Sequence, residues 1–189
     1  MIDLTKTLVD RTNNRTYKRN IERFSISDCW AIVNGYKDID TYLNGEQFDF
    51  ISAFRMWEGV HTHNQVQELL VEMGWEVEKK FEKKFGYEWT LVGKVDAVNL
   101  SLEEGSILEI KTSKEVMEKA KKWHEHQCKM YCTLLEKPSA LVVQPVYTDN
   151  QLYLKELACV KRNDAWFMKQ MDKINEFYLQ LKERTKTNG

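Results

Sequence analysis

The sequence has little of several things, and each shortage excludes something. Only 2 prolines and 8 glycines punctuate 189 residues, so the chain is no Pro/Gly-rich low-complexity segment. No apolar run approaches the roughly 20 residues of a membrane-spanning helix, and Ala140 to Val143 is typical of its longest. Met1-Ile2-Asp3-Leu4 carries an acid early and no apolar stretch follows, so no secretory signal is expected. Net charge is missing too. The 28 Lys and Arg set against 29 Asp and Glu leave -1, which gives no global attraction toward a polyanion.

Cysteine is scarce and spaced unhelpfully. Cys29, Cys128, Cys132 and Cys159 form no CxxC pair. Without a secretory signal, free thiols in an intracellular, cytoplasmic setting are expected. Cys128 and Cys132 fall four apart on one predicted helix, and the other two lie far off in sequence. That spacing suits neither zinc nor an iron–sulfur cluster.

What is present is apolar and aromatic: 42% hydrophobic and 12% aromatic residues, enough to fill a sizeable core. No linker-like stretch interrupts the chain, so one domain over 1–189 is expected. Residues 1–24 read as a basic N-terminal arm, with Lys6, Arg11, Arg15, Lys18, Arg19 and Arg23 against Asp3, Asp10 and Glu22. This arm is either solvated or contacts phosphates.

Ser25 or Ser27 can cap a short helix to about Val33. A long helix is predicted from about Phe48 to Met73, with apolar residues at three- and four-residue spacing and Gly74 behind it. The period then changes to two. Val77 to Phe85, Trp89 to Leu100 and Ser106 to Lys111 read as strands, with a turn at Glu103-Glu104-Gly105. Ser113 is expected to cap a helix over about Lys114 to Glu136, which Pro138 ends. Ala140 to Tyr147 and Leu152 to Val160 read as two more strands, turned by Asp149-Asn150. Asn163 caps a last helix to about Glu183. This order predicts an α/β fold, a central mixed sheet with helices on its faces.

Two strands carry charge among apolar residues: Gly93-Lys94-Val95-Asp96 and Leu108-Glu109-Ile110-Lys111. Alternation sends Glu109 and Lys111 one way and Ile110 into the core. Asp96 lies beside Glu109 if the strands pair. Two neighbouring buried carboxylates are costly without a compensating cation, and hard oxygen ligands suit Mg²⁺ or Mn²⁺. The Ile110 carbonyl is a further ligand candidate. Lys111 stands where it can orient a water or stabilise charge developing on phosphate. Gln127 and Tyr131 share one helix face at i,i+4, and the long helix carries Gly59-Val60-His61-Thr62-His63.

In order and in predicted context, Gly59 to His63, Gly93 to Asp96, Glu109 to Lys111 and Gln127 to Tyr131 resemble the motifs of the PD-(D/E)xK nuclease superfamily. Within it they resemble the RecB-like branch, including CRISPR-associated RecB-like exonucleases and lambda-exonuclease-type enzymes. The resemblance covers roughly residues 50–160 and implies a restriction-endonuclease-like core. It implies that His63, Asp96, Glu109 and the Ile110 carbonyl hold Mg²⁺ or Mn²⁺. It makes Lys111 the catalytic lysine and places Gln127 and Tyr131 around the substrate or the lysine. The activity implied is metal-assisted hydrolysis of DNA phosphodiesters by an activated water, in exonuclease mode. Arg15, Lys18 and Arg19 then become candidate DNA contacts. No membrane role is implied; a protein partner in recombination, repair, phage or CRISPR biology is. The Gly+4 spacing selects His63 over His61, and His124 is expected to be an exposed helical residue. The terminal cysteine trio of the CRISPR-associated relatives has no counterpart here, so no cluster is expected. The alternatives are a non-catalytic DNA- or protein-binding member of the fold and an iron–sulfur nuclease.

Overall fold

The computed structural model describes residues 4–13, 20–45 and 49–187. In chain order the elements are α1 (Thr5–Asn13), β1 (Arg23–Ser25), α2 (Ile26–Val33), α3 (Ile39–Asn44), α4 (Phe50–Glu72), β2 (Glu76–Lys83), β3 (Thr90–Val98), β4 (Ile107–Ile110), α5 (Lys122–Leu134), β5 (Ser139–Thr148), β6 (Gln151–Lys161) and α6 (Asp164–Thr187). The long helices α4 and α6 and the five longer strands fall where the periodicity places them. None of the described helices is long and apolar enough to cross a membrane.

The sheet is mixed. β1 runs parallel to β3 and β4 parallel to β5, while the β2–β3, β3–β4 and β5–β6 pairs are antiparallel. Leu91 pairs with both Phe24 of β1 and Lys83 of β2. Ala97 pairs with both Val77 of β2 and Leu108 of β4. β1 and β4 therefore share one edge of β3, at opposite ends. Pairing of β3 with β4 covers only Ala97–Leu108 and Val98–Ile107. Asp96 and Glu109 stand one step beyond it, where the strands part.

Two apolar clusters fix this frame. The larger joins α2, α5 and α6 to one side of the sheet and includes Phe24, Trp89, Met130, Met171 and Ile174. In the smaller, Val66 and Leu70 of α4 pack on Ala97, Leu108, Ile110 and Val143. Each large side chain among them contributes about 1.5–3 kcal/mol on full burial, so these four helices are firmly seated on the sheet that carries the acids.

Three differences from the sequence expectation have physical causes. The helix expected from Lys114 starts at Lys122. Before it, buried Gln144 captures the backbone, accepting from Met117 N (2.8 Å) and donating to Glu115 O (2.8 Å). Lys155 Nζ donates to Met117 O at 2.7 Å. These tertiary bonds outweigh local helix propensity. The basic stretch holds α1, which packs on α4, and β1, too short to announce itself. α3 forms because Asp38 Oδ1 caps Thr41 N at 2.8 Å, and its Tyr42 is buried with its hydroxyl on Arg23 O at 2.8 Å.

Candidate active site

The divergence of β3 and β4 opens space for carboxylates. Asp96 Oδ2 accepts from Ile110 N at 2.8 Å, the bond a continued ladder would have used otherwise. Opposite, Glu109 is 2% exposed. Its Oε1 pairs with Lys111 Nζ, while its Oε2 has no hydrogen-bond partner among the described residues. Burial raises the pKa of Asp96. Burial and then the charge of Asp96 raise that of Glu109. Two such carboxylates call for a cation.

α4 brings His63 to the same place. Its Nε2 lies 3.5 Å from Asp96 Oδ1 and has no hydrogen bond among the described residues. Burial lowers its pKa, against the raising influence of Glu78 and Glu109, so the ring is neutral at pH 7, the form that binds metal. Gly59, one helical turn earlier, lets Thr112 approach: a Cβ there would stand 3.1 Å from Thr112 Oγ1.

Glu78 is the residue that sequence reasoning missed. Strand alternation sets it on the opposite side of β2 from Val77 and Lys79. The pairs Val77–Ala97 and Lys79–Val95 bracket it directly across from Asp96, and that register is the signal that could have found it. Its backbone is left-handed, φ 55°, a strained conformation for a non-glycine residue. Gln67 Nε2 holds it, donating to Glu78 Oε1 (3.0 Å) and Asp96 O (2.7 Å), and Lys94 pairs with its other oxygen. Burial raises its pKa but is outweighed by Lys94 and Gln67, so the net direction is down. One ligand atom each from His63, Glu78 and Asp96 lie within 4.8 Å of one another.

Lys111 completes the group from β4's end. Besides pairing with Glu109, its Nζ donates to Gln127 Oε1 at 3.3 Å and stands 4.5 Å from the Trp123 ring centroid. Gln127 thus reaches the lysine. Tyr131, one turn on, is buried and donates to Lys94 O at 2.9 Å, bracing β3 next to Asp96. Its ring meets Phe81 edge-on at 5.9 Å. Phe81 lies over Gly93, where a Cβ would fall 2.1 Å from its ring. The glycine of Gly-x-x-Asp is explained by this overlap.

The structure therefore gathers His63, Asp96, Glu109, Lys111 and Gln127. Tyr131 braces the sheet from α5, and the Ile110 side chain is core. Arg15, Lys18 and Arg19 lie outside the described residues. His61 is exposed and stacks on Trp57, centroids 6.3 Å apart. His124, expected to be exposed, is 3% exposed: its Nδ1 accepts from Lys121 N at 3.3 Å where α5 begins. Cys29, Cys128 and Cys132 are buried and Cys159 is exposed.

The donor set fits a divalent cation. Half-buried carboxylates meet a neutral imidazole beside the buried Glu109, and two of the atoms, His63 Nε2 and Glu109 Oε2, are without hydrogen bonds among the described residues.

Solved structures share this architecture. "SSO0001" superposes with a TM-score of 0.60 at 16% identity, over 92% of this chain and 86% of that one. An alkaline exonuclease, LHK-Exo from Laribacter hongkongensis, gives 0.61 at 14% identity, over 97% and 95%. The same exonuclease in complex with dAMP gives 0.62 at 16%, over 88% and 91%. No curated protein matches. The model of one family, the PD-(D/E)XK nuclease superfamily, matches residues 7–188. That span takes in all four motifs and the elements that hold them, and the chain belongs to the PD-(D/E)XK nuclease superfamily.

Proposed function

We propose that this protein is a divalent-metal-dependent DNA nuclease that hydrolyses phosphodiester bonds as an exonuclease. One observation carries the reading: His63, Glu78 and Asp96 converge within 4.8 Å beside the unpartnered Glu109 oxygen. In it, His63, Asp96, Glu109 and the Ile110 carbonyl hold Mg²⁺ or Mn²⁺, and Glu78 joins them. Bound there, the cation would neutralise the scissile phosphate and make a water nucleophilic near neutral pH. Lys111 orients the attacking water and stabilises charge on the phosphate through Nζ. Gln127 and Trp123 keep that ammonium directed, and Tyr131 fixes the strand bearing Asp96. Arg15, Lys18 and Arg19 are proposed to follow the DNA backbone.

DNA as substrate and end-dependent action are supported by the family and by the fold shared with an alkaline exonuclease. We further read the chain as one domain of an intracellular protein. The test uses one plasmid in linear and covalently closed form, with Mn²⁺, Mg²⁺ or EDTA. Metal-dependent loss of the linear form alone is expected. Equal loss of the closed circle would reject exonuclease action, and no metal-dependent cleavage of either would reject the nuclease.

A further inference from the structure

The helix that sends Gln127 toward Lys111 presents His126 to another side. There α2, α5 and α6 enclose a cleft of about 400 Å³, within the range of small-ligand pockets, roughly 300–1,000 Å³.

His126 at its back is 4% exposed. Burial drives its pKa down to about 4, so the ring is neutral at pH 7, with one nitrogen a donor and the other an acceptor. Gln170 is near enough to raise its basicity a little. Yet neither nitrogen has a hydrogen bond of normal geometry among the described residues. Protein interiors seldom leave such atoms unpaired.

The walls are aromatic. Trp30 and Trp166 meet the imidazole edge-on, with centroids 5.2 and 4.9 Å from it. Both indoles are half-buried, and exposed Tyr36 extends Trp30 at 6.3 Å and 33°. The rim is cationic. Lys129 Nζ stands over the Trp166 ring, 5.3 Å from its centroid. Lys122 and Lys173 add two more charges, and Glu125 is the one carboxylate among the lining residues.

A bare phosphate would leave the indoles idle, and an uncharged ring would leave the ammonium groups idle. A ligand that is both planar and anionic uses all of them. We propose that this cleft binds a nucleoside 5′-phosphate, free or at the end of a strand. Its base lies against Trp30 and its phosphate among Lys122, Lys129 and Lys173, while a polar edge of the base pairs with His126. Because His126 is almost fully buried at the back of the cleft, entry of that edge needs a side-chain adjustment of the kind common on binding. The site is separate from the metal centre and does not need it.

The test is tryptophan-fluorescence titration of the full chain in EDTA with dAMP, deoxyadenosine, inorganic phosphate and a 5′-phosphorylated pentanucleotide of dA. Saturable quenching by dAMP is expected, with deoxyadenosine and phosphate at least tenfold weaker. His126→Phe, which keeps the ring and loses its nitrogens, should weaken dAMP about tenfold. The double charge reversal Lys129→Glu with Lys173→Glu should do the same, with unfolding followed by circular dichroism to confirm that the variant is folded. A pentanucleotide binding as tightly as dAMP identifies a strand end as the ligand, and weaker binding identifies the free nucleotide. Unchanged dAMP affinity in the double charge reversal, equal affinity for phosphate alone, or no saturable quenching would overturn the proposal. Metal-dependent cleavage is read separately, so either result can fail without the other.

Discussion

The ring of Phe81 lies across the backbone of Gly93, so close that a Cβ would fall 2.1 Å from it. Phe81 also meets Tyr131, whose hydroxyl holds the Lys94 carbonyl two residues before Asp96. Gly93→Ala must therefore displace Phe81 and loosen the brace on Asp96. The expected cost is about 1–3 kcal/mol of stability, measured by urea unfolding. Phe81→Leu in the same chain should recover part of it.

Glu78 holds a left-handed backbone at φ 55°, and the strain is kept where its carboxylate meets Asp96 and His63. Glu78→Gly and Glu78→Ala both remove the carboxylate, but only glycine relieves the backbone. Both should weaken Mn²⁺ binding alike by calorimetry, roughly tenfold or more. The glycine variant should be the more stable by about 1 kcal/mol. Equal Mn²⁺ affinity in the wild type and both variants would remove Glu78 from the metal site.

Burial and the charge of Asp96 raise the pKa of Glu109 above its unfolded value. The metal-free fold therefore resists charging it, and stability falls as pH rises through the folded pKa. Glu109→Gln should abolish cleavage and yet stabilise the metal-free protein at pH 8, on the order of 1–3 kcal/mol. That gain should disappear near pH 4, where the wild-type carboxyl is protonated in either state. Thermal melts in EDTA at the two pH values check it.

His124 and His126 have the opposite sign. Burial lowers their pKa values to about 3 and about 4. Below pH 6.5 the unfolded chain takes up protons that the folded one refuses, so the fold loses stability as pH falls. The slope is about 1.4 kcal/mol per pH unit for each histidine, down to its folded pKa. His126→Phe should flatten the loss between pH 6.5 and pH 4 relative to wild type, by about one such slope, in denaturant titrations.

Much of the site was legible because its chemistry is local in sequence. Asp96 follows Gly93 on one strand, Glu109 and Lys111 alternate on the next, and i,i+4 spacing puts Gln127 and Tyr131 on one helix face. What stayed hidden depends on tertiary partners. Nothing near Lys114 in sequence says that Gln144 will seize the backbone of Glu115 and Met117 and delay α5. Glu78 looks like any polar residue of a half-exposed strand until the register sets it opposite Asp96. The burial of His124 follows from its bond to Lys121 N at the start of a helix, and that start was itself misplaced.

The cluster of His63, Glu78, Asp96 and Glu109 with Lys111 is proposed to be a metal-dependent nuclease centre. The most direct measurement is the cleavage rate of end-labelled linear DNA in Mn²⁺ by the wild type, Asp96→Ala and Lys111→Ala, with EDTA as control. Rates lower by roughly 10³-fold in each variant, with a wild-type rate abolished by EDTA, are predicted. Cleavage by either variant at the wild-type rate would place the nuclease centre elsewhere.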